Sequence, residues 1–221
     1  MGSGGEIASL IVMVIGTVLT LVCVAIPFWK KNDPEDTIRD SIVRHEGLWI
    51  KCQTFQTGNW DCDDFNRFFL GLPTQLQVAR GFSITSMVLA VFSIGAMCVG
   101  MDSIPCGTDS KGTKKRIRLI AGAMGFLSGL LILASVSWYG NDVRIQHEIA
   151  TQQLFVSQIT QTRYIFGEAL FLGWAGGACL ILAGILALCT GCGGGDSYED
   201  AHPRYAYRPP TKNAGNSQEY V

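Results

Sequence analysis

Charged residues are scarce in this chain: they make up 16% of its 221 residues, whereas hydrophobic residues make up 48%. Four stretches contain no Asp, Glu, Lys or Arg at all, and they run over 7–29, 81–101, 119–141 and 169–195. Each stretch has the roughly 20 residues that an apolar helix needs to cross the hydrocarbon layer of a membrane. A soluble protein of this length would show short amphipathic segments instead. The sequence therefore predicts four membrane-spanning helices.

Groups that perform catalysis or bind metals are also missing. The three histidines lie in separate segments, and no His/Cys grouping has the spacing of metal ligands. Phosphate-binding loops and nucleophile elbows are absent. No charge-free stretch has an ionisable residue at its centre, as a pump or secondary transporter would need. We therefore expect neither enzyme activity nor a cofactor. The net charge of −1 gives no attraction to nucleic acid.

Basic residues and cysteines indicate the side of the membrane on which each loop lies. The segment 102–118 holds five basic residues, which favours a cytoplasmic position for it and for both termini. Raw counts of basic residues do not separate the two sides. Cys52 and Cys62 form an isolated pair in the loop 30–80, and such a pair persists as a disulfide only in an oxidising compartment. We therefore place the loops 30–80 and 142–168 outside the cell.

The segment 49–65 is typical of a β-hairpin. Its predicted turn spans 56–58, because Gly58 can adopt the positive φ that often ends a three-residue hairpin loop. This turn sets Cys52 directly opposite Cys62, and antiparallel strands can accept a bridge across such a pair. We expect the bridge to stabilise the protein by on the order of 2–4 kcal/mol.

An acidic cluster follows the turn, and it consists of Asp61, Asp63 and Asp64. One interpretation is a solvated strand edge. The other is a charged wall that favours passing cations, as rings of carboxylates do in channels. Lys51 is expected opposite Asp63, and Lys30 and Lys31 add positive charge to the same loop. The expected preference for cations is therefore slight.

Several motifs together resemble the claudin family. A tryptophan–cysteine signature is formed by Trp29, Gly47, Leu48, Trp49, Cys52 and Cys62. That signature alone is shared with peripheral myelin protein, the epithelial membrane proteins and calcium-channel gamma subunits. Claudins are favoured by the segment 72–80, which ends in Leu-Gln-Val-Ala-Arg at Arg80, and by the terminal Tyr-Val. The motifs at 136–138 and 167–174 extend the resemblance over nearly the whole chain.

The resemblance implies a multi-pass plasma-membrane protein of the tight junction, whose partners are itself and other claudins. Such proteins polymerise within one membrane, meet the strands of a neighbouring cell and set paracellular permeability. The alternative is an auxiliary, gamma-like subunit that modulates an ion channel or receptor.

The resemblance also implies roles for single residues. Trp29 and Trp49, with the two cysteines, would hold the extracellular sheet at the membrane, and Arg80 would lie where the second span leaves it. Asp63 and Asp64 fall where cation-selective claudins carry an acid. Phe68 falls where the family places an apolar residue that contacts the next subunit.

Three departures from the family pattern stand out. Pro34 follows closely after Trp29, so the strand there is expected to be short or to lie on an edge. The second extracellular loop has 146–153 in place of the aromatic-x-Asn-Pro turn that usually contributes to contacts with the opposite cell in this family. Asp102 stands where a basic residue is usual.

The predicted fold is a mainly α membrane protein: a left-handed four-helix bundle with a small extracellular antiparallel sheet, spanning 1–195. A disordered cytoplasmic tail, 196–221, ends in Tyr220 and Val221, which suit the groove of a PDZ scaffold protein. Cysteines expected near the inner ends of the spans are candidates for palmitoylation, although unmodified apolar cysteines are an equal alternative: Cys106, Cys189 and Cys192. The Gly-xxx-Gly repeats at 125–129 and 173–177 are expected to pack within the bundle.

Overall fold

The computed structural model describes residues 3–33, 42–55, 57–65, 71–101, 111–157 and 162–192. Within these ranges the helices are α1 (Ser3–Ala25), α2 (Thr74–Gly100), α3 (Lys111–Ser157) and α4 (Glu168–Cys192). The strands are β1 (Lys30–Asn32), β2 (Ile42–Glu46), β3 (Ile50–Phe55), β4 (Trp60–Asp64) and β5 (Tyr164–Phe166). All four helices are long and apolar enough to cross a membrane, as the charge-free stretches predicted.

The helices form a closed bundle in chain order, in which each helix packs against its neighbours in sequence and α1 packs against α4. Small residues allow α3 and α4 to approach closely. A Cβ added at Gly129 would lie 2.8 Å from the carbonyl oxygen of Gly177, and one at Gly184 would lie 2.8 Å from that of Gly122. The two predicted glycine repeats therefore contribute to packing within the bundle.

Buried serines join α2 to α3. The hydroxyl groups of Ser83 and Ser135 are 2.9 Å apart, and Ser86 donates to the carbonyl oxygen of Ser128 over 2.8 Å. Near the other end, Ser93 donates to the carbonyl oxygen of Ala121 over 2.7 Å. In a membrane these hydroxyl groups have no water to bind, so their mutual bonds hold the two helices in register.

The strands form one antiparallel sheet in the order β4-β3-β2-β1-β5. The predicted hairpin register is confirmed, because Cys52 pairs with Cys62 and Lys51 pairs with Asp63. Gly58 has the expected positive φ of 80°. The strand after Trp29 is short, as expected, but it lies between β2 and β5 and not on an edge.

Helix α3 continues well past the end of its charge-free stretch. The sequence placed 142–168 in a loop, whereas the helix runs on to Ser157, and β5 follows at Tyr164. The extension packs against β5, and His147 Nδ1 lies 3.1 Å from the carbonyl oxygen of Tyr164. This extension supports the end of the sheet that β5 forms.

Several residues named above lie outside the described residues, so their predicted roles are not tested by the structure. They are Pro34, Phe68, Asp102, Cys106, Tyr220 and Val221.

Candidate functional site at the sheet and its junction with the helices

The β3–β4 hairpin is closed by a disulfide between Cys52 and Cys62, whose Cα atoms are 4.1 Å apart. Cys52 is buried, and all residues of β4 are exposed. The bridge therefore fixes an exposed outer strand to a strand that is partly buried. Only a short chain segment separates the two cysteines, so the pairing depends on the local turn and not on distant parts of the fold.

Two tryptophans attach the sheet to the end of α1. Trp29 is fully buried, and its Nε1 donates to the carbonyl oxygen of Cys23 over 2.8 Å. The Nε1 of Trp49 donates to the carbonyl oxygen of Val24 over 3.0 Å. The last turn of a helix leaves its carbonyl groups without backbone partners. Both indole groups therefore cap α1, which ends at Ala25, and they fix the sheet on that helix.

Arg80 joins the sheet to α2 at the same level. Its Nε donates to the carbonyl oxygen of Leu48 over 2.8 Å, and its side chain is almost fully buried. The guanidinium group lies over the rings of Trp49 and Phe65, at 4.9 and 5.3 Å from their centroids. These contacts combine a charged hydrogen bond with two cation–π interactions.

Gly47 permits the close approach of the sheet to the end of α1. A Cβ at this position would lie 2.4 Å from Pro27 Cα, closer than real Cβ contacts allow. Five residues that the sequence could group only by resemblance thus meet at one junction between α1, α2 and the sheet: Trp29, Gly47, Leu48, Trp49 and Arg80.

Charged groups bind the inner strands to one another and to α4. Glu46 accepts from Lys30 over 3.0 Å and lies 3.9 Å from Lys51, while Lys31 forms an ion pair with Glu168 at the start of α4. Burial and the Glu46 carboxylate together raise the pKa of Tyr164, whose ring lies under the Lys30 ammonium group.

His45 lies in an aromatic cluster on the sheet. Its ring stacks on Trp60 with centroids 5.9 Å apart and meets Phe28 edge-on at 4.9 Å. Burial lowers the pKa of His45, and the Lys31 ammonium group lowers it further against the opposing effect of Glu168. This cluster could not be predicted from the sequence, because its three rings come from separate segments.

The acidic residues of β4 divide between the two faces of the hairpin. Asp61 and Asp63 share one face with Lys51, and Asp64 points to the other by the alternation of a strand. Among the residues that the structure describes, none of the three carboxylates lies within 4.0 Å of a basic group. All three residues are exposed, so their carboxylates lie at the surface of the described structure.

At the opposite end of the bundle, Glu6 and Arg118 form a buried ion pair of 2.8 Å. Arg118 also donates to the carbonyl oxygen of Gly100 over 3.0 Å, so the pair joins α1, α2 and α3. The sequence analysis did not predict this pair, although both residues directly border charge-free stretches.

Cys189 and Cys192 lie exposed in the last turn of α4. The described ranges hold no group of three His, Cys, Asp or Glu side chains that could bind a metal ion.

Known proteins match this chain over nearly its whole length. The model of the PMP-22/EMP/MP20/Claudin family matches residues 3–187. Human claudin-7 is 33% identical over 222 residues, which cover 99% of each chain. The chain belongs to the claudin family. Mouse claudin-1 is 31% identical over 222 residues, or 99% of each chain, and bovine claudin-18 is 28% identical over 218 residues, which cover 92% of this chain and 83% of that protein. This claudin is therefore a structural, multi-pass membrane protein with a tight-junction role and not an enzyme.

Proposed function

We propose that this claudin polymerises into tight-junction strands and sets the permeability of the path between cells. In this proposal the sheet lies outside the cell, both termini lie in the cytoplasm, and the strands meet those of a neighbouring cell. The proposal is supported mainly by the junction between the sheet and the helices. There Trp29 and Trp49 fix the sheet to the end of α1, and Arg80 fixes it to α2. A surface held in this way keeps its shape when subunits assemble.

Side-by-side assembly needs a surface on each subunit. A groove of about 210 Å³ between the extension of α3 and β5 is lined by Val143, Arg144, His147, Tyr164, Ile165 and Phe166. Because this groove lies on the sheet side of the bundle and is largely apolar, it suits an apolar side chain such as Phe68 of a neighbouring subunit.

Imaging of strands tests the proposal directly. When the protein is expressed in cells that lack other claudins, freeze-fracture should show continuous intramembrane strands at cell contacts. Scattered particles would favour a gamma-like auxiliary subunit that does not assemble with itself. A Phe68→Ala variant should give fewer or shorter strands at equal surface abundance.

A preference for cations is the second part of the proposal. It is supported by the exposed carboxylates of Asp61, Asp63 and Asp64, which have no basic partner among the described residues. In a leaky epithelial layer, dilution potentials should show that sodium passes more easily than chloride. Asp63→Asn together with Asp64→Asn should reduce the sodium-to-chloride permeability ratio. An unchanged ratio would show that these carboxylates do not select for cations.

The C-terminus is proposed to bind PDZ scaffold proteins. A free carboxylate after Tyr220 and Val221 fits a groove that adds the peptide as a strand and takes the last apolar side chain in a pocket. Removal of these two residues should abolish binding to PDZ domains without loss of strands from cells.

Palmitoylation of inner cysteines is a further proposal, supported by the exposure of Cys189 and Cys192 at the end of α4. An acyl-exchange assay on the wild type and on a variant that lacks both residues, with Cys106 tested separately, would decide it. Equal signals from the wild type and the variants would argue for unmodified thiols.

A further inference from the structure

Lys51 is the basic residue that lies beside the exposed carboxylates of the β3–β4 hairpin. In the register, Lys51 pairs with Asp63, and Gln53 pairs with Asp61. Directly paired residues lie on the same face of a sheet, with Cβ atoms about 4.5–5.5 Å apart. One face of the hairpin therefore holds two carboxylates and one ammonium group.

Contacts on both sides of β3 hold Lys51 in place. Its Nζ lies 3.9 Å from Oε1 of Glu46 and 4.8 Å from the ring centroid of Phe65. Its side chain is 48% exposed, so the charge remains at the surface. Glu46 also accepts from Lys30 over 3.0 Å, and this pair is largely buried. Because Glu46 is shared between two lysines, it does not cancel the charge of Lys51.

We propose that Lys51 determines selectivity by limiting how strongly the carboxylates of β4 favour cations. The inference rests on the proposed function, in which this hairpin faces the paracellular path. An ammonium group on the neighbouring strand lies within the Debye length of about 8 Å at physiological salt, so solvent ions screen it only in part. A cation that passes Asp63 is therefore repelled by Lys51 at the same place.

The summed charge of Lys51, Asp61 and Asp63 predicts the order of cation preference in a series of variants. The face carries −1 in the wild type, −2 in Lys51→Gln, 0 in Asp63→Asn and −1 again in the double variant. The sodium-to-chloride permeability ratio should be highest for Lys51→Gln, by about two- to threefold over the wild type. It should be lowest for Asp63→Asn, and the double variant should return close to the wild type.

Arg44→Gln is the matched control. Arg44 lies on β2, two strands or about 9.5 Å from β4, and it donates to Thr162 on the side away from β4. Its loss should therefore change the ratio less than the loss of Lys51. Lys51→Arg should keep the wild-type ratio, because it keeps the charge.

A second variant tests, without removing Lys51, whether positive charge on this face lowers the sodium-to-chloride permeability ratio. Gln53→Lys adds a base opposite Asp61 and should lower the ratio. Each variant is compared at equal surface abundance and with strands imaged in parallel.

The outcomes separate the inference from the function on which it rests. If Asp63→Asn lowers the ratio while Lys51→Gln and Gln53→Lys leave it unchanged, the role of Lys51 is overturned and the charged wall remains. If Asp63→Asn also has no effect in cells with continuous strands, both are overturned. Equal effects of Lys51→Gln and Arg44→Gln would likewise contradict a local role.

Discussion

Replacement of Arg80 by Gln should loosen the attachment of the sheet to α2. Arg80 is almost fully buried, donates to the carbonyl oxygen of Leu48 over 2.8 Å and lies over the rings of Trp49 and Phe65. A hydrogen bond to a charged group contributes about 1.5–3 kcal/mol, and a cation–π contact adds roughly 0.5–1 kcal/mol or more when desolvated. We therefore expect the free energy of unfolding to fall by about 2–4 kcal/mol.

The assay is thermal unfolding of the purified protein in detergent, followed by the fluorescence of its five tryptophans, one of which is Trp49. A loss of this size should lower Tm by roughly 5–15 °C for a chain of this length. Arg144→Gln is the control, because Arg144 is 64% exposed and its ion pair among the described residues is an i,i+4 pair with Glu148. Arg80→Lys should fall in between, since it keeps the charge but not the planar group. If Arg80→Gln were no less stable than Arg144→Gln, the attachment through Arg80 would be refuted.

Three further predictions concern stability, and each is measured by thermal unfolding. Arg118→Met should lose about 3–5 kcal/mol, because it breaks the buried ion pair with the Glu6 carboxylate. The double variant, Glu6→Gln with Arg118→Met, should lose much less, and equal losses would contradict the pairing. Gly47→Ala should be destabilised because its Cβ would lie 2.4 Å from Pro27 Cα. An unchanged Tm would show that the close approach of the two segments does not require glycine. Burial lowers the pKa of His45 in the folded protein, so the unfolded chain binds its proton more readily. Stability should therefore fall as the pH drops through about 6.5, the ordinary pKa of histidine, and His45→Phe should flatten that dependence.

The hairpin was accessible from the sequence because its determinants are local. A turn that ends at Gly58 fixes which residues face one another, so the pairing of Cys52 with Cys62 follows from counting alone. The order of the strands in the whole sheet could not be predicted in this way. Strand β1 pairs with β5, which is three residues long and more than a hundred residues away, and nothing in either segment specifies the other.

The full length of α3 could not be read from the charge-free stretch. Absence of charge marks the part of a helix that lies in hydrocarbon, whereas a helix can continue into water with charged and polar residues. The segment from Asp142 to Ser157 carries such residues, and many of them are good helix formers. In the same way, Glu6 and Arg118 were recognisable only as border residues, because their pairing depends on where the ends of α1 and α3 meet.

The most direct test of the central claim is side-specific labelling of Cys52 and Cys62 on living cells. We propose that a disulfide-closed strand pair stands outside the cell on a membrane-embedded helical bundle. Both cysteines should resist a membrane-impermeant maleimide until an impermeant reductant is added from outside, and then the exposed Cys62 should react. Labelling before reduction, or labelling that requires a permeabilised membrane, would contradict the account.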